Sequence, residues 1–184
     1  MNTAINISEL ISTKERENIL TRLLYSSHQL SLHQIARDAG VSPSQVHKYI
    51  SICKKYGLIK DTIMKDYPVV RALRLMENIV FLEKSKLADF INSQIKNAKG
   101  IGIYGSWARG TNNENADIDI WVFGEKEADD LTMGKIRRTL EKKLERKVDI
   151  IYLNSEKLQQ LKEKNPNMYY SLYHSIKLWG NEIW

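Results

Sequence analysis

Cysteine, proline and long hydrophobic runs are scarce in this chain of 184 residues. The single cysteine, Cys53, excludes an internal disulfide framework and is typical of a reducing compartment. No apolar run approaches the roughly 20 residues that span a bilayer, and no secretory leader opens the chain. No paired ligand spacing links Cys53 to a histidine, so we expect no zinc site at any of the four histidines, His28, His33, His47 and His174. We therefore expect a cytoplasmic protein with no membrane contact.

Acidic residues are also scarce in the first part of the chain. Residues 1–75 carry 11 Lys and Arg against 6 Asp and Glu, whereas residues 76–184 carry 17 against 16. Because the basic excess lies at the front, that part is expected to meet an anionic partner such as DNA. The hydrophobic content of 42% is enough for a core, and the length allows one domain or two small ones.

The stretch GIGIYGSWARGTNNENADIDIWVFG, residues 100–124, holds the strongest chemical signal. A short apolar run stops at Gly105-Ser106, where a strand-to-helix turn would offer backbone amides and a hydroxyl to a phosphate. The later run begins with Asp117-Ile118-Asp119, and strand alternation sends both acids to one face. Paired carboxylates repel each other unless a cation lies between them, and Mg²⁺ prefers such oxygen ligands while keeping positions open for phosphates.

This two-part motif resembles that of the minimal nucleotidyltransferase domains of the polymerase-beta-like superfamily. Some relatives of this kind act in operons as antitoxins beside a HEPN-type toxin. The resemblance implies that Gly105 and Ser106 hold the phosphates of a nucleoside triphosphate such as ATP, while Asp117 and Asp119 bind Mg²⁺. Arg109 lies close by and has two open roles, a phosphate contact or a structural salt bridge. Ala116 departs from the family, where a serine often precedes the first acid.

The family also implies a third carboxylate on a neighbouring strand, and Asp149 is the candidate. It is the only acid in the mostly apolar run from Lys147 to Tyr152. Its functional interpretation is a third metal contact or a general base for an incoming hydroxyl. The alternative is an aspartate at the exposed end of a strand.

Helical punctuation dominates the front of the chain. We expect a loosely ordered entry over 1–11, then a helix with Ser12 as N-cap that ends near Ser26, and a second from about Leu32 to Ala39. A third begins with Ser42 as N-cap and Pro43 at its first position, and Gly57 follows its last turn. Leu58 to Met64 is predicted as a strand.

The segment IARDAGVSPSQVHKYISICKKYGLI resembles the winged helix-turn-helix of many prokaryotic regulators. In that resemblance Ser44, Gln45 and Lys48 reach base edges in the major groove. The remaining basic candidates, Lys54, Lys55 and Lys60, contact backbone phosphates. The alternative is a protein-interaction or dimerisation module.

Behind these segments the pattern is again helical. A long connecting helix begins after Pro68 with a bend at 83–86, and its apolar stripe needs either the rear sheet or a second copy, which would make a homodimer. A helix from Glu127 to Leu144 precedes the Asp149 strand. Further helices begin near Asn154 and at Pro166, followed by a strand from Ile176 to Trp179. The three tyrosines of the Pro166 helix, Tyr169, Tyr170 and Tyr173, are expected in the core, with the border of a base pocket as the alternative.

The predicted fold is therefore mixed, α+β or α/β. We expect a winged helix-turn-helix over 1–75, a connecting helix over 76–99 and a minimal nucleotidyltransferase domain with a small mixed sheet over 100–184. The predicted function is magnesium-dependent transfer of a nucleoside monophosphate, AMP by resemblance, from ATP to a macromolecular hydroxyl. The acceptor implied by the family is a HEPN-type toxin, and the winged helix would bind DNA. The alternative is a transcription regulator whose rear domain only senses a nucleotide or binds a partner.

Overall fold

The computed structural model describes residues 4–125 and 129–184, and the chain divides into two compact units, Met1–Glu77 and Asn78–Trp184. The first unit is helical apart from a two-stranded hairpin. Its elements are α1 Ile7–Ile11, α2 Lys14–Tyr25, α3 Leu32–Ala39, α4 Pro43–Lys55, β1 Ile59–Lys60 and β2 Ile63–Met64. Helix α5, Pro68–Lys84, begins in this unit and ends in the second.

Capping side chains fix where the helices of the first unit begin. Ser31 and Ser42 each accept from the amide three residues later, and Gln34 and Gln45 accept in return from the cap amides, so α3 and α4 both have full capping boxes. Gly40 ends α3 in the left-handed conformation at φ +68°. The predicted cap at Ser42 and start at Pro43 are confirmed.

Two expectations for the front of the chain are wrong. Helix α1 orders part of the predicted loose entry, because Leu10 is buried and its carbonyl accepts from the Tyr49 hydroxyl at 3.1 Å. The α2 cap is Thr13 rather than Ser12, because Ser12 keeps a helical backbone as the end of α1 while Thr13 is extended and accepts from the Arg16 amide.

The predicted strand from Leu58 to Met64 is instead a hairpin. Asp61 takes the left-handed conformation at φ 56°, and the chain reverses there so that Ile59 pairs with Met64 and Lys60 with Ile63. An aspartate tolerates this conformation better than a branched residue does. The turn therefore costs little, although no Gly or Asn marks it in the sequence.

Cys53 lies on the inner face of α4 and is fully buried in the core of the first unit. That core is built from the apolar stripes of α1 to α4, with Leu20, Leu24, Ile35 and Val46 among its most buried members. Burial raises the pKa of the Cys53 thiol to about 12. The thiol is therefore a packing group.

The second unit is a four-stranded mixed sheet covered on both faces by helices. Its elements after α5 are α6 Leu87–Gln94, β3 Ala98–Ile103, α7 Gly105–Arg109, β4 Ile118–Gly124, α8 Asp130–Leu144, β5 Val148–Leu153, α9 Ser155–Lys164, α10 Pro166–Tyr173 and β6 Ile176–Gly180. The strand order is β5-β4-β3-β6; β4 and β5 are parallel and the other pairs antiparallel. The predicted mixed sheet, last strand and bend at 83–86 are confirmed.

Alternation along β4 assigns its side chains to two cores. Ile118 and Ile120 are buried with residues of α6 and α8, such as Ile91 and Ile136. Trp121 belongs to the core that α9 and α10 cover. Asp119 lies one residue from Ile118 and from Ile120, so it projects from the opposite face of the sheet, the Trp121 face.

The start of α8 differs from the prediction. The helix begins at Asp130, with Asp129 accepting from the Thr132 amide at 2.9 Å, whereas the predicted first residue, Glu127, lies outside the described residues. An aspartate N-cap satisfies a free amide of the first turn and places negative charge at the positive end of the helix.

The sequence led us to expect the tyrosines of α10 in the core. They are not core residues. Tyr170 and Tyr173 are more than half exposed, and Tyr173 stacks on Trp184 with 4.5 Å between ring centroids. Only Leu172 of this helix is fully buried. Within the described residues no helix is long and apolar enough to cross a membrane.

Candidate active site

A glycine turn brings the end of β3 against an acid of β4. Tyr104 continues β3, its amide donating to the Asp119 carbonyl at 3.0 Å, and Gly105 then opens α7 with φ +68°. A Cβ at Gly105 would lie 2.0 Å from Oδ2 of Asp119. Only glycine fits such a position, because a side chain would clash with the carboxylate and strain the backbone. The turn and Asp119 therefore form one packed unit.

The parallel pairing of β4 and β5 sets two acids side by side. Asp119 is the register partner of Asp149, and Asp117 immediately precedes β4. Burial, then the charges of Asp149 and Asp117, raise the pKa of the half-buried Asp119 carboxyl, while Arg109 opposes the shift. The predicted acids thus share one electrostatic neighbourhood, although Asp117 lies before the strand rather than within it.

Asp149 is exposed, whereas its register partner Asp119 is half-buried. The Asp149 side chain is 61% exposed, and its Oδ1 accepts from Nη2 of Arg137 on α8 at 3.2 Å. It also lines a cleft of about 490 Å³ that includes Tyr104, Met133 and Met168. This exposure fits the alternative interpretation, an aspartate at the exposed end of a strand. The pairing of Asp149 with Asp119 across the two strands is a separate observation and fits the predicted acid cluster.

Metal binding needs ligands beyond the protein at this site. In the part of the chain that the structure describes, no three His, Cys, Asp or Glu side chains are placed to hold a metal ion by themselves. Carboxylates nevertheless suit Mg²⁺, which usually takes one or two of them together with substrate phosphates. The donor chemistry therefore fits a metal that arrives with a phosphorylated substrate rather than a permanent all-protein site.

Helix α7 carries Ser106 and Arg109, two of the residues predicted to contact phosphate. Ser106 is half-buried and Arg109 exposed at the ends of this one-turn helix. Arg109 opposes the rise in the pKa of Asp119, so its charge acts on the acid cluster. The position of Arg109 is compatible with both roles that the sequence left open, a phosphate contact and a structural salt bridge.

Comparison with known proteins finds one matching family for the second unit. Residues 85–168 match the family described as Polymerase beta, Nucleotidyltransferase. The match identifies a nucleotidyltransferase domain. The matched residues include all three acids and the Gly105 turn. No curated protein matches the sequence significantly.

Solved structures similar to this chain are remote relatives. One is a toxin–antitoxin complex with AMP-PNP, with 22% identity over 57% of this chain and 75% of that chain and a TM-score of 0.41. A mutant of the MntA–HpeT toxin–antitoxin has 20% identity, coverage of 54% and 73%, and a TM-score of 0.41. A tri-AMPylated Shewanella oneidensis HEPN toxin in complex with MNT antitoxin has 19% identity, coverage of 60% and 73%, and a TM-score of 0.35.

Sequence reasoning missed several residues around the nucleotidyltransferase site. Arg137 was given no role from the sequence, yet it forms an ion pair with Asp149. Asn78 and Asn112, both buried and hydrogen-bonded to each other, gave no local signal. Spacing carried part of the information for Arg137, since it follows the inward-facing Met133 by one turn; nothing in the sequence paired the two asparagines.

Proposed function

We propose that the second unit transfers a nucleoside monophosphate, AMP in the first instance, from ATP to a hydroxyl group of a macromolecular acceptor. The observation that carries this proposal is the position of Asp119. Its carboxylate is in contact with the Gly105 turn on one side and is in register with Asp149 on the other. The proposed phosphate turn, metal-binding acid and base therefore belong to three neighbouring strands, β3, β4 and β5.

The triphosphate is proposed to lie against the start of α7. Ser106 offers a hydroxyl and Gly105 a backbone amide for the β and γ phosphates. Arg109 adds a positive charge beside them. These groups hold the leaving pyrophosphate end, on the β3 side of Asp119.

Asp117 and Asp119 are proposed to hold Mg²⁺, with Asp149 as a further contact. When bound, the metal would offset the charge of the α phosphate and of the leaving pyrophosphate. Burial raises the pKa of Asp119, and without a cation the charges of Asp149 and Asp117 raise it further, because the three carboxylates repel one another. A divalent ion therefore removes an electrostatic cost that the folded chain carries.

The acceptor is proposed to approach from the β5 side. In-line displacement at phosphorus places the attacking and leaving oxygens on opposite sides, and the phosphate turn occupies the β3 side. Asp149 lies on the β5 side and opens into the cleft with Arg137 and Met168. There it takes the proton of the acceptor hydroxyl as the new O–P bond forms and the bond from the α phosphorus to pyrophosphate breaks.

The decisive experiment supplies α-labelled ATP and Mg²⁺ to the purified protein together with the products of its neighbouring genes. A HEPN-type toxin is the proposed acceptor, because the motif resembles that of antitoxin nucleotidyltransferases. We expect label to move onto one of these products and EDTA to prevent the transfer. Magnesium-dependent ATP binding without any transfer would instead favour a regulator that senses nucleotide.

DNA binding by the first unit is a second proposed function, as a winged helix-turn-helix. The supporting observation is the outer surface of α4, where Ser44, Gln45 and Lys48 are exposed, with a further exposed lysine, Lys54, near the end of the helix. The Oε1 atom of Gln45 already accepts from the Ser42 amide, so only its amide nitrogen is open to a base. A protein-docking role for the same surface is the competing interpretation.

The proposed phosphate contacts are not equivalent. Lys55 forms an ion pair with Glu9 at 3.1 Å, and this contact lowers the pKa of Glu9. Lys60 is exposed on the hairpin. We therefore expect Lys48, Lys54 and Lys60 to contribute more to DNA affinity than Lys55, which must first give up its partner.

Salt dependence tests these contacts. Replacing Lys48 by Gln is expected to weaken binding to a labelled duplex and to reduce the slope of log affinity against log salt by about one. Fluorescence anisotropy at several salt concentrations measures both quantities. The control is Lys96→Gln in the second unit, which should leave the slope unchanged. Equal effects of the two variants, or no binding at any salt concentration, would contradict DNA binding by α4.

A further inference from the structure

Two buried asparagines face each other in the second unit. Asn78 on α5 is fully buried, and Asn112 is 2% exposed. Nδ2 of Asn78 donates to Oδ1 of Asn112 at 2.9 Å, and Nδ2 of Asn112 donates back to Oδ1 of Asn78 at 3.1 Å. Nδ2 of Asn78 also donates to the Trp107 carbonyl at 2.8 Å. The pair therefore joins α5 both to α7 and to the chain that follows α7.

Amides in such a position are an unusual choice for stability alone. Removing an amide from water carries a penalty that its hydrogen bonds only offset, and leucines of similar volume would fill the space without it. What the amides add is direction, because hydrogen bonds between two planar groups fix one arrangement where apolar packing tolerates several.

Asn112 is the buried anchor of an otherwise accessible segment. Among residues 111–117 the other side chains are exposed or half-buried. The segment begins beside the phosphate turn, where the Thr111 amide donates to the Ser106 carbonyl at 3.0 Å, and ends at Asp117. Its far half has a second attachment, from Nη1 of Arg146 to the Glu114 carbonyl at 2.5 Å.

We infer that Asn78 and Asn112 are positioning residues, which hold the 111–117 segment so that the phosphate turn and Asp117 meet the same nucleotide. The inference rests on the proposed function. Asn78 holds α7 through the Trp107 carbonyl. Through Asn112 it also holds the start of the segment that leads to the proposed metal-binding acid, Asp117. Neither amide touches the nucleotide; each acts through the backbone that it holds.

The test replaces both asparagines by leucine, Asn78→Leu with Asn112→Leu. Because the two amides leave together, and the Trp107 carbonyl keeps the Gly110 amide as a donor at 3.4 Å, we expect the double variant to fold and to melt above Asn112→Leu alone. The dissociation constant for ATP with Mg²⁺, measured by calorimetry well below the melting temperature, is expected to rise at least about tenfold, since small displacements of positioning groups are costly. Hydrogen exchange of amides 111–117 should accelerate.

Two matched variants separate positioning from stability. Asn112→Leu alone removes both hydrogen bonds that Asn78 exchanges with Asn112 and sets an apolar side chain against a buried amide, so it should melt lower than the double variant. Asn92→Leu, at a half-exposed site on α6, should change neither ATP affinity nor exchange. Unchanged ATP affinity and unchanged exchange in a stable double variant would overturn the positioning role while leaving the proposed function intact. Failure of the unmodified protein to bind ATP would overturn both.

Discussion

Asp119→Asn is expected to abolish nucleotide transfer and, at pH 7 without metal, to raise the melting temperature. The loss follows from the proposed function, in which the variant removes a charged metal ligand at the centre of the acid cluster. Removing one group that stabilises a reacting centre typically costs about a hundredfold to a thousandfold, and we expect at least the upper figure here. Transfer of label from ATP to the acceptor measures it.

The gain in stability has the opposite origin. Burial, with Asp149 and Asp117, raises the pKa of Asp119 in the folded protein, so its ionised form opposes folding. This loss of folding stability is absent at pH values below the ordinary pKa of an aspartate. It develops as the pH rises through the raised pKa of Asp119. The difference in melting temperature between the variant and the unmodified protein should therefore widen from acidic to neutral pH. Thermal melts in EDTA across that range measure it.

Asp129→Asn is the matched control for this substitution. Asp129 caps α8, and asparagine caps a helix about as well as aspartate. We expect transfer to be retained and no widening of stability with pH. Asp119→Asn retaining more than about a tenth of the transfer activity would contradict a metal-binding role for Asp119, by the magnitude usual for a single stabilising group.

Gly105→Ala is expected to lower both ATP affinity and stability. The new Cβ would meet Oδ2 of Asp119 at 2.0 Å and its Cγ at 3.0 Å, so the carboxylate must move. The left-handed backbone adds about 1–2 kcal/mol of strain. Because a displacement near 1 Å can cost about a hundredfold, we expect ATP affinity with Mg²⁺ to fall by that order. Calorimetry and thermal melts measure the two effects.

Gly40→Ala separates the strain from the clash. Gly40 has the same φ of +68°, but no atom lies within 4 Å of the position that the new methyl carbon would take. We expect it to reduce stability through backbone strain alone and to leave ATP binding unchanged. If Gly105→Ala bound ATP as tightly as Gly40→Ala, close contact between the turn and Asp119 would have no part in nucleotide binding.

Local chemistry made much of this molecule predictable. Ser42 and Pro43 alone predict where α4 begins. Strand alternation and motif spacing predicted the turn at Gly105 and the position of Asp119. The mixed sheet was predicted because the motif resembles a known family, rather than from periodicity. That family resemblance also suggested Asp149, and the β4–β5 register now places it beside Asp119.

What the sequence did not reveal depends on contacts between distant residues. The Asn78–Asn112 pair joins positions 34 residues apart, and no propensity marks a buried amide in advance. The exposed tyrosines of α10 were misassigned because an aromatic cluster at helical spacing usually packs inward, whereas here Tyr173 stacks on Trp184. Ser12 does not cap α2, because it is the C-terminal cap of the short helix α1 before it.

The buried thiol of Cys53 makes this chain convenient for site-specific chemistry. Maleimide and related dyes react with the thiolate, and a thiol with a pKa of about 12 inside a packed core offers almost none at neutral pH. A cysteine introduced at an exposed position such as Asn113 would therefore take the label selectively in the folded protein. A dye at that position would report on the 111–117 segment during nucleotide binding, without first removing the native cysteine.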